Sequence, residues 1–355
     1  MKNIEKYRKL VSEGEVDALL LCSRHNRMYA AQYDIAEGIA VVTKSECYYF
    51  TDSRYIEAAE KNLPDFTVRM VDREHSYSSR IEAVIAAHEI KAMGFEEDVL
   101  TYGEYMTYSA KLSAKLVPFA ARISSFRAVK EPWELDYMRR AQAITDKTFS
   151  DLLNVIRAGM TEKELQAELL YRMAQNGADG PAFEPITISG PNTSMPHGVP
   201  TNRVLKFGDF ITMDFGAAYH GYCSDMTRTV ALGFVTEEMD KVYHIVLDAQ
   251  RAGLAATKAG VTGKAMDGAA RKVIADAGYG AYFGHSYGHS LGLLIHEAPN
   301  ASVANDKPMP AGAVVSAEPG IYLPDKFGVR IEDAVIITAD SCENMTKSAK
   351  NLIIL

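Results

Sequence analysis

In the first third of the chain, short apolar runs alternate with stretches of helical period. Residues 17–22 (DALLLC) form an apolar run of strand length. Residues 38–43 (GIAVVT) and 46–51 (ECYYFT) predict two strands joined by a turn around Lys44 and Ser45. Helices are expected over 53–62 and 81–88, and a further strand over 92–95. Strands that alternate with helices predict an α/β domain. No repeat or low-complexity linker interrupts the pattern, and a boundary is expected near 126–130.

Beyond that boundary the period changes. Glu131-Pro132-Trp133-Glu134 opens a long helix, because proline suits the first helical position and acidic residues favour the first turn. Leu135, Met138, Ala141, Ile144 and Phe149 keep near-helical spacing, and Gly159 is expected to end the segment. Thr161 and Glu164 form a capping box that opens another helix to about Asn176. From Phe207 the pattern becomes that of antiparallel strands.

Composition narrows the function. A length of 355 residues suits two domains at roughly 100–200 residues each. An apolar share of 47% beside 24% charged residues supplies a core and excludes general disorder. The net charge of −8 argues against nucleic acid as a partner. No uncharged apolar stretch reaches the ~20 residues of a membrane helix, and charged residues 1–15 lack the apolar segment of a secretory signal. Cys22, Cys47, Cys223 and Cys342 are far apart and form no C-x-x-C pair, which argues against a disulfide framework or a thiolate zinc knot. A cytoplasmic enzyme is the expected class.

Candidate chemistry collects in the second half. Residues 210–217 read as one strand and 224–231 as the next, with a turn over 219–222. If that turn is centred between Tyr219 and His220, Asp214 and Asp225 are directly opposed on one face, about 5 Å apart at Cβ. Two like charges so placed need neutralising, which a divalent cation would do. The hairpin alone equally allows Asp225 as a turn cap and Asp214 as an edge residue. Further candidates are His285, His289 and His296 in FGHSYGHSLGLLIHEAP, Glu318 in SAEPGIY and Glu332 in GVRIED. Glu318 is expected at a strand end and Glu332 within a strand. Oxygen-rich donors with one imidazole suit Mn²⁺, Co²⁺, Fe²⁺ or Zn²⁺. Shared carboxylates are how hydrolytic sites hold two ions together.

Two motifs mislead. Gly284-His-Ser286-Tyr-Gly288 matches the serine-hydrolase elbow, but no histidine follows His296, so the order of a catalytic triad fails. His296-Glu297 begins like the zinc helix H-E-x-x-H, but residue 300 is Asn and Pro299 disrupts a helix interior.

The segments 189–198 (SGPNTSMPHG), 213–229 (MDFGAAYHGYCSDMTRT), 283–299, 317–322 (AEPGIY) and 328–333 (GVRIED) resemble the pita-bread metallopeptidases. Within them the chain is most similar to Xaa-Pro aminopeptidases and Xaa-Pro dipeptidases (prolidases). The likeness spans residues 131–355, and VDALLL with FTDSRYIEAA (50–59) resembles the creatinase-type N-terminal domain of the same group. The implied fold is an α/β domain over 1–127 and an α+β pita-bread catalytic domain with a curved antiparallel sheet over 128–355.

The resemblance implies a two-metal centre held by Asp214, Asp225, His289, Glu318 and Glu332, with Asp225 and Glu332 shared. The ions would be divalent, Mn²⁺ first and Co²⁺, Zn²⁺ or Fe²⁺ as alternatives. A metal-bridging hydroxide would attack the scissile carbonyl, with Glu318 handling the proton. His197 and His296 would contact substrate and stabilise developing charge, and His285 and Arg330 would line the substrate site. The expected activity removes the N-terminal residue from peptides with proline second, in a cytoplasmic homodimer. The alternative is a dipeptidase. A creatinase-like non-peptidase or a dead binding module fits less well, because all five ligands are retained. Tyr287, Ser290 and Asn300 depart from the family pattern. Tyr287 is expected to narrow or reshape the pocket, and Asn300 stands where an Arg is common.

Overall fold

The computed structural model describes residues 2–355 and divides into two compact units, Met1–Arg127 and Ala128–Leu355. The first unit holds six strands: β1 (Ala18–Leu21), β2 (Ile39–Thr43), β3 (Cys47–Thr51), β4 (Thr67–Met70), β5 (Ala92–Phe95) and β6 (Lys115–Pro118). They form one sheet in the order β4-β3-β2-β1-β5-β6. β1 and β2 pair antiparallel, as do β2 and β3, and the remaining pairs are parallel. Every residue of β1 and β2 is buried, so both faces of the sheet centre are covered.

Sequence pattern located β1, β2, β3 and β5 but not β4, β6 or the helices Asn3–Ser12, Arg24–Ala31 and Tyr102–Lys111. The last of these fully buries no residue and meets the core only through the half-buried rings of Tyr105 and Tyr108, so its apolar stripe is faint. The helix Asn3–Ser12 buries Ile4, Tyr7, Leu10 and Val11 beneath its charged surface.

In the second unit the helix Pro132–Leu152 starts with Pro at the first turn and a reciprocal Glu131–Glu134 cap. It ends at Leu152, well before Gly159. The Thr161–Glu164 capping box opens the helix Glu162–Gln175. Two further helices, Glu237–Ala256 and Gly263–Asp276, pack on each other and on the strand residues Val315, Ile321, Val329 and Val335. Among the described residues no helix is long and apolar enough to cross a membrane.

Thirteen short strands complete this unit. They are β7 (Gly180–Pro181), β8 (Ile186–Ser189), β9 (Phe210–Phe215), β10 (Ala217–Tyr219), β11 (Tyr222–Cys223), β12 (Met226–Ala231), β13 (Gly288–Ser290), β14 (Glu297–Ala301), β15 (Val314–Ala317), β16 (Gly320–Leu323), β17 (Phe327–Arg330), β18 (Asp333–Ile337) and β19 (Cys342–Asn344). Their ladders run β11-β10-β7, β12-β9-β8, β14-β13-β15-β18-β19 and β16-β17.

Two strands expected to be continuous are broken. The run 210–217 changes ladder at Gly216, and 328–337 changes ladder at Ile331–Glu332. Gly216 is required by close approach, because a Cβ there would lie 1.8 Å from the Ser224 carbonyl oxygen. Gly216→Ala is therefore expected to destabilise the protein by about 1–3 kcal/mol. A urea midpoint equal to that of the parent would show that the two segments do not meet so closely.

The hairpin register also differs from expectation. Tyr219 pairs with Tyr222 and Ala218 with Cys223, so the turn is centred between His220 and Gly221. Both residues have positive φ, 48° and 77°, as a type I′ hairpin turn requires. Asp214 consequently opposes Thr227, and Asp225 lies two residues along from that partner. A shift of two preserves the face, because side chains alternate with period two.

Candidate metal centre

Three carboxylates stand where the chain leaves one ladder and enters another. Asp225 lies between β11 and β12, Glu318 between β15 and β16, and Glu332 between β17 and β18. A break in the ladder interrupts the regular alternation and re-aims the side chain. Asp214 in β9 and His289 in β13 come from within strands. One ligand atom each from Asp225, His289 and Glu332 lies within 4.8 Å of the others. That spacing is close to the ~4 Å between ligands on opposite sides of one divalent ion.

The surroundings fix each donor. Thr227 Oγ1 donates to Glu332 Oε2 at 2.7 Å, and Ser316 Oγ donates to Glu318 Oε1 at 3.0 Å. The His289 Nδ1–H can donate to the Ser290 carbonyl at 3.2 Å. This tautomer, assigned from the hydrogen bonds, leaves a lone pair on Nε2. Nε2 then faces Asp225 Oδ2 at 3.5 Å and Glu318 Oε1 at 3.4 Å. Arg330 spends every nitrogen: Nε on Thr227 Oγ1, Nη1 on the Pro196 carbonyl and Tyr322 Oη, and Nη2 on Asp214 Oδ2.

This donor set fits a cation and is poorly satisfied without one. A lone pair facing two carboxylate oxygens gains nothing unless positive charge lies between them. Burial, and then the charges of Glu332, Asp214 and Glu318, push the Asp225 carboxyl far above the usual carboxylate range. Burial followed by Glu318 and Asp214 does the same to Glu332. Glu318 is pushed up to about 7, first by burial. Asp214 Oδ1 is buried with no hydrogen-bond partner. Four carboxylates arranged this way have the oxygen-rich character that divalent first-row metals and magnesium accept.

The donors open onto a cavity of about 320 Å³. Its lining includes all nine residues singled out from the sequence: His197, Asp214, Asp225, His285, His289, His296, Glu318, Arg330 and Glu332. His197 and His296 are exposed, whereas His289 is partly buried, with its ring centroid 4.3 Å from that of His296. His285 is held at both nitrogens, by the Ser286 carbonyl at 2.9 Å and Tyr322 Oη at 2.8 Å. Burial lowers its pKa to about 4, so it stands neutral.

Comparison with known proteins adds the deciding observation. Residues 136–339 match metallopeptidase family M24, and residues 3–129 match the creatinase/prolidase N-terminal domain. The chain belongs to metallopeptidase family M24. An uncharacterized peptidase of Bacillus subtilis, YqhT, is 39% identical over 99% of both chains. The solved structure of an Xaa-Pro dipeptidase from Bacillus anthracis is 38% identical, with a TM-score of 0.96, covering 100% of this chain and 99% of that one. An X-Pro aminopeptidase from Thermotoga maritima is 35% identical, with a TM-score of 0.92, over 99% and 100%. The fold is thus the creatinase-type domain followed by the pita-bread domain. M24 membership makes the chain a hydrolase that uses divalent metal.

Against this family background, one sequence expectation is corrected. Tyr287 does not narrow the pocket. Its fully buried ring turns into the core and packs over the helix Glu237–Ala256 at Gly253, where a Cβ would come within 2.3 Å of it. Ser290 is also buried and absent from the lining, whereas Asn300 is part of it. Ser286 is followed by a strand rather than a helix, so the serine-elbow context fails in structure as well. Sequence reasoning missed Tyr322 and Thr227, which hold Arg330, and the apolar wall of Phe183, Ile186 and Ile295. Tyr322 closes the AEPGIY segment, so a signal was present. Phe183 and Ile186 flank Pro185 in a stretch without periodicity.

Proposed function

We propose that the protein removes the N-terminal residue from peptides with proline second, using two divalent ions, Mn²⁺ first. Asp214, Asp225, His289, Glu318 and Glu332 would hold the ions, with Asp225 and Glu332 shared. The observation that carries this reading is the convergence of buried, mutually repelling carboxylates on the unprotonated nitrogen of His289. When bound, the ions lower the pKa of a water and polarise the scissile carbonyl.

The chain's own groups do the rest. Glu318 accepts the proton released by the attacking water at Oε and returns it to the leaving nitrogen. Its Oε1 is oriented by Ser316. His197 and His296 donate hydrogen bonds where negative charge develops on the carbonyl oxygen and where the nitrogen departs. Arg330 has no idle nitrogen, so its part is to hold Asp214 and to brace Tyr322, which in turn orients His285. The preference for proline is supported by the names of the relatives and by the apolar wall of Phe183, Ile186 and Ile295, which suits a pyrrolidine ring.

The aminopeptidase is preferred to the dipeptidase on one observation. A dipeptidase has reason to clamp the free carboxylate of its substrate, a task for Arg. Among the described residues lining the cavity, the only Arg or Lys is Arg330, which is already engaged, and Asn300 is an amide. The charge-assisted contact, about 1.5–3 kcal/mol, would be missing. Ala-Pro-Ala is therefore expected to be cleaved with kcat/KM at least equal to that for Ala-Pro. A tenfold or greater preference for Ala-Pro would assign the chain to the dipeptidases. The division of the chain at 127/128 into N-terminal and catalytic domains, a homodimeric state and a cytoplasmic setting belong to the same reading.

A further inference from the structure

A buried ion pair sits behind the loop that carries His296. Lys130 Nζ lies 3.2 Å from Glu297 Oε2, and the two side chains are 1% and 2% exposed. The other Glu297 oxygen accepts the Leu294 amide at 3.2 Å. One carboxylate thus closes the turn 294–297, and the ammonium fixes the carboxylate. Both groups pack on Gly292, where a Cβ would come within 2.8 Å of Glu297 Oε2 and 3.0 Å of Lys130 Cε. The Gly292 carbonyl accepts the Cys223 amide at 2.7 Å, two residues before Asp225. At the other end the Lys130 amide donates to the Gly312 carbonyl at 2.9 Å.

Such a pair needs a reason beyond stability. Taking two charges out of water costs about as much as their attraction returns, and a well-packed apolar pair of the same volume often serves a core equally well. An apolar pair could not accept the Leu294 amide, so it could not hold this turn in one conformation. Glu297 directly follows His296 and begins β14. Neither Lys130 nor Glu297 is among the residues lining the cavity, so any effect on the reaction must pass through a neighbour.

We propose that Lys130 and Glu297 are positioning residues that set the imidazole of His296 for peptide cleavage. The inference rests on His296 acting as a hydrogen-bond donor in the reaction. A displacement of a catalytic group by about 1 Å costs on the order of 10²-fold in rate. The pair is buried and hydrogen-bonded where such a displacement would arise, directly beside His296 in the chain.

The test uses the full chain loaded with Mn²⁺ and Ala-Pro-Ala as substrate. Lys130→Met, Glu297→Leu and the double variant Lys130→Met/Glu297→Leu are each made in the parent and in a His296→Ala background. The double variant leaves no lone buried charge and guards against simple misfolding. In the parent, kcat should fall roughly 10–100-fold with KM and bound metal unchanged. In the His296→Ala background the same changes should cost nothing further. A lowered Tm with parental kcat would overturn the inference, as would a loss that persists undiminished without His296. Parental kcat in His296→Ala alone would refute the donor reading, and this inference with it. A damaging His296→Ala beside silent pair variants would refute this inference only.

Discussion

Asp225→Asn is expected to lose the bound divalent ions and to lower kcat by at least about 10³-fold, the scale of several kcal/mol of charge stabilisation. Asp225 is 3% exposed and is repelled by Glu332, Asp214 and Glu318. An amide has the same shape but no charge, so it cannot offset two cations. The metal-free proteins should behave in the opposite sense. Without ions, the parent retains a buried carboxylate among like charges, and the variant does not. Metal-free Asp225→Asn should therefore be at least as stable as the metal-free parent. Added Mn²⁺ should raise the Tm of the parent by mass action and leave that of the variant unchanged. Elemental analysis and thermal unfolding read both effects. A variant that keeps its metal and its activity would remove Asp225 from the ligands.

His296→Ala should do something different: kcat falls by about 10²–10³-fold, the scale of one lost oxyanion donor, and metal content stays near that of the parent. His296 is exposed at the cavity, whereas Asp225 and Glu332 are deeply buried. The chain after it is the strand β14, not a helix, so no second histidine can follow one turn later to complete a zinc motif. Its ring lies against that of His289. Metal lost together with activity would make His296 a ligand.

The five candidate ligands were named through the resemblance, and the residues alone pointed only to carboxylates collecting in the second half. Charged groups that collect in otherwise apolar strands need a compensating partner, and Asp214, Asp225, Glu318 and Glu332 all lie in or beside such strands. Spacing alone did not give their placement. The direct opposition of Asp214 and Asp225 fails by two residues, because the turn falls at His220–Gly221. Two apparent strands break at Gly216 and at Ile331–Glu332, where the chain changes ladder. Such a change depends on contacts with distant segments, such as Ser224 against Gly216, and local periodicity does not encode it. The direction of Tyr287 was misjudged for the same reason. It stands two residues from His289 in sequence, but its ring lies against Gly253 in space. The helix Tyr102–Lys111 meets the core only through the half-buried rings of Tyr105 and Tyr108, too faint an apolar period to reveal it.

The proposed reaction requires divalent ions, held by Asp214, Asp225, His289, Glu318 and Glu332, to cut before proline. The most direct measurement strips the protein with a chelator, titrates Mn²⁺ back, and follows bound metal and hydrolysis of Ala-Pro-Ala and Ala-Ala-Ala together. The account predicts no hydrolysis in the stripped protein, activity that rises until two ions are bound per chain, and cleavage of Ala-Pro-Ala far ahead of Ala-Ala-Ala. Full cleavage of Ala-Pro-Ala by protein shown by elemental analysis to be metal-free would contradict it.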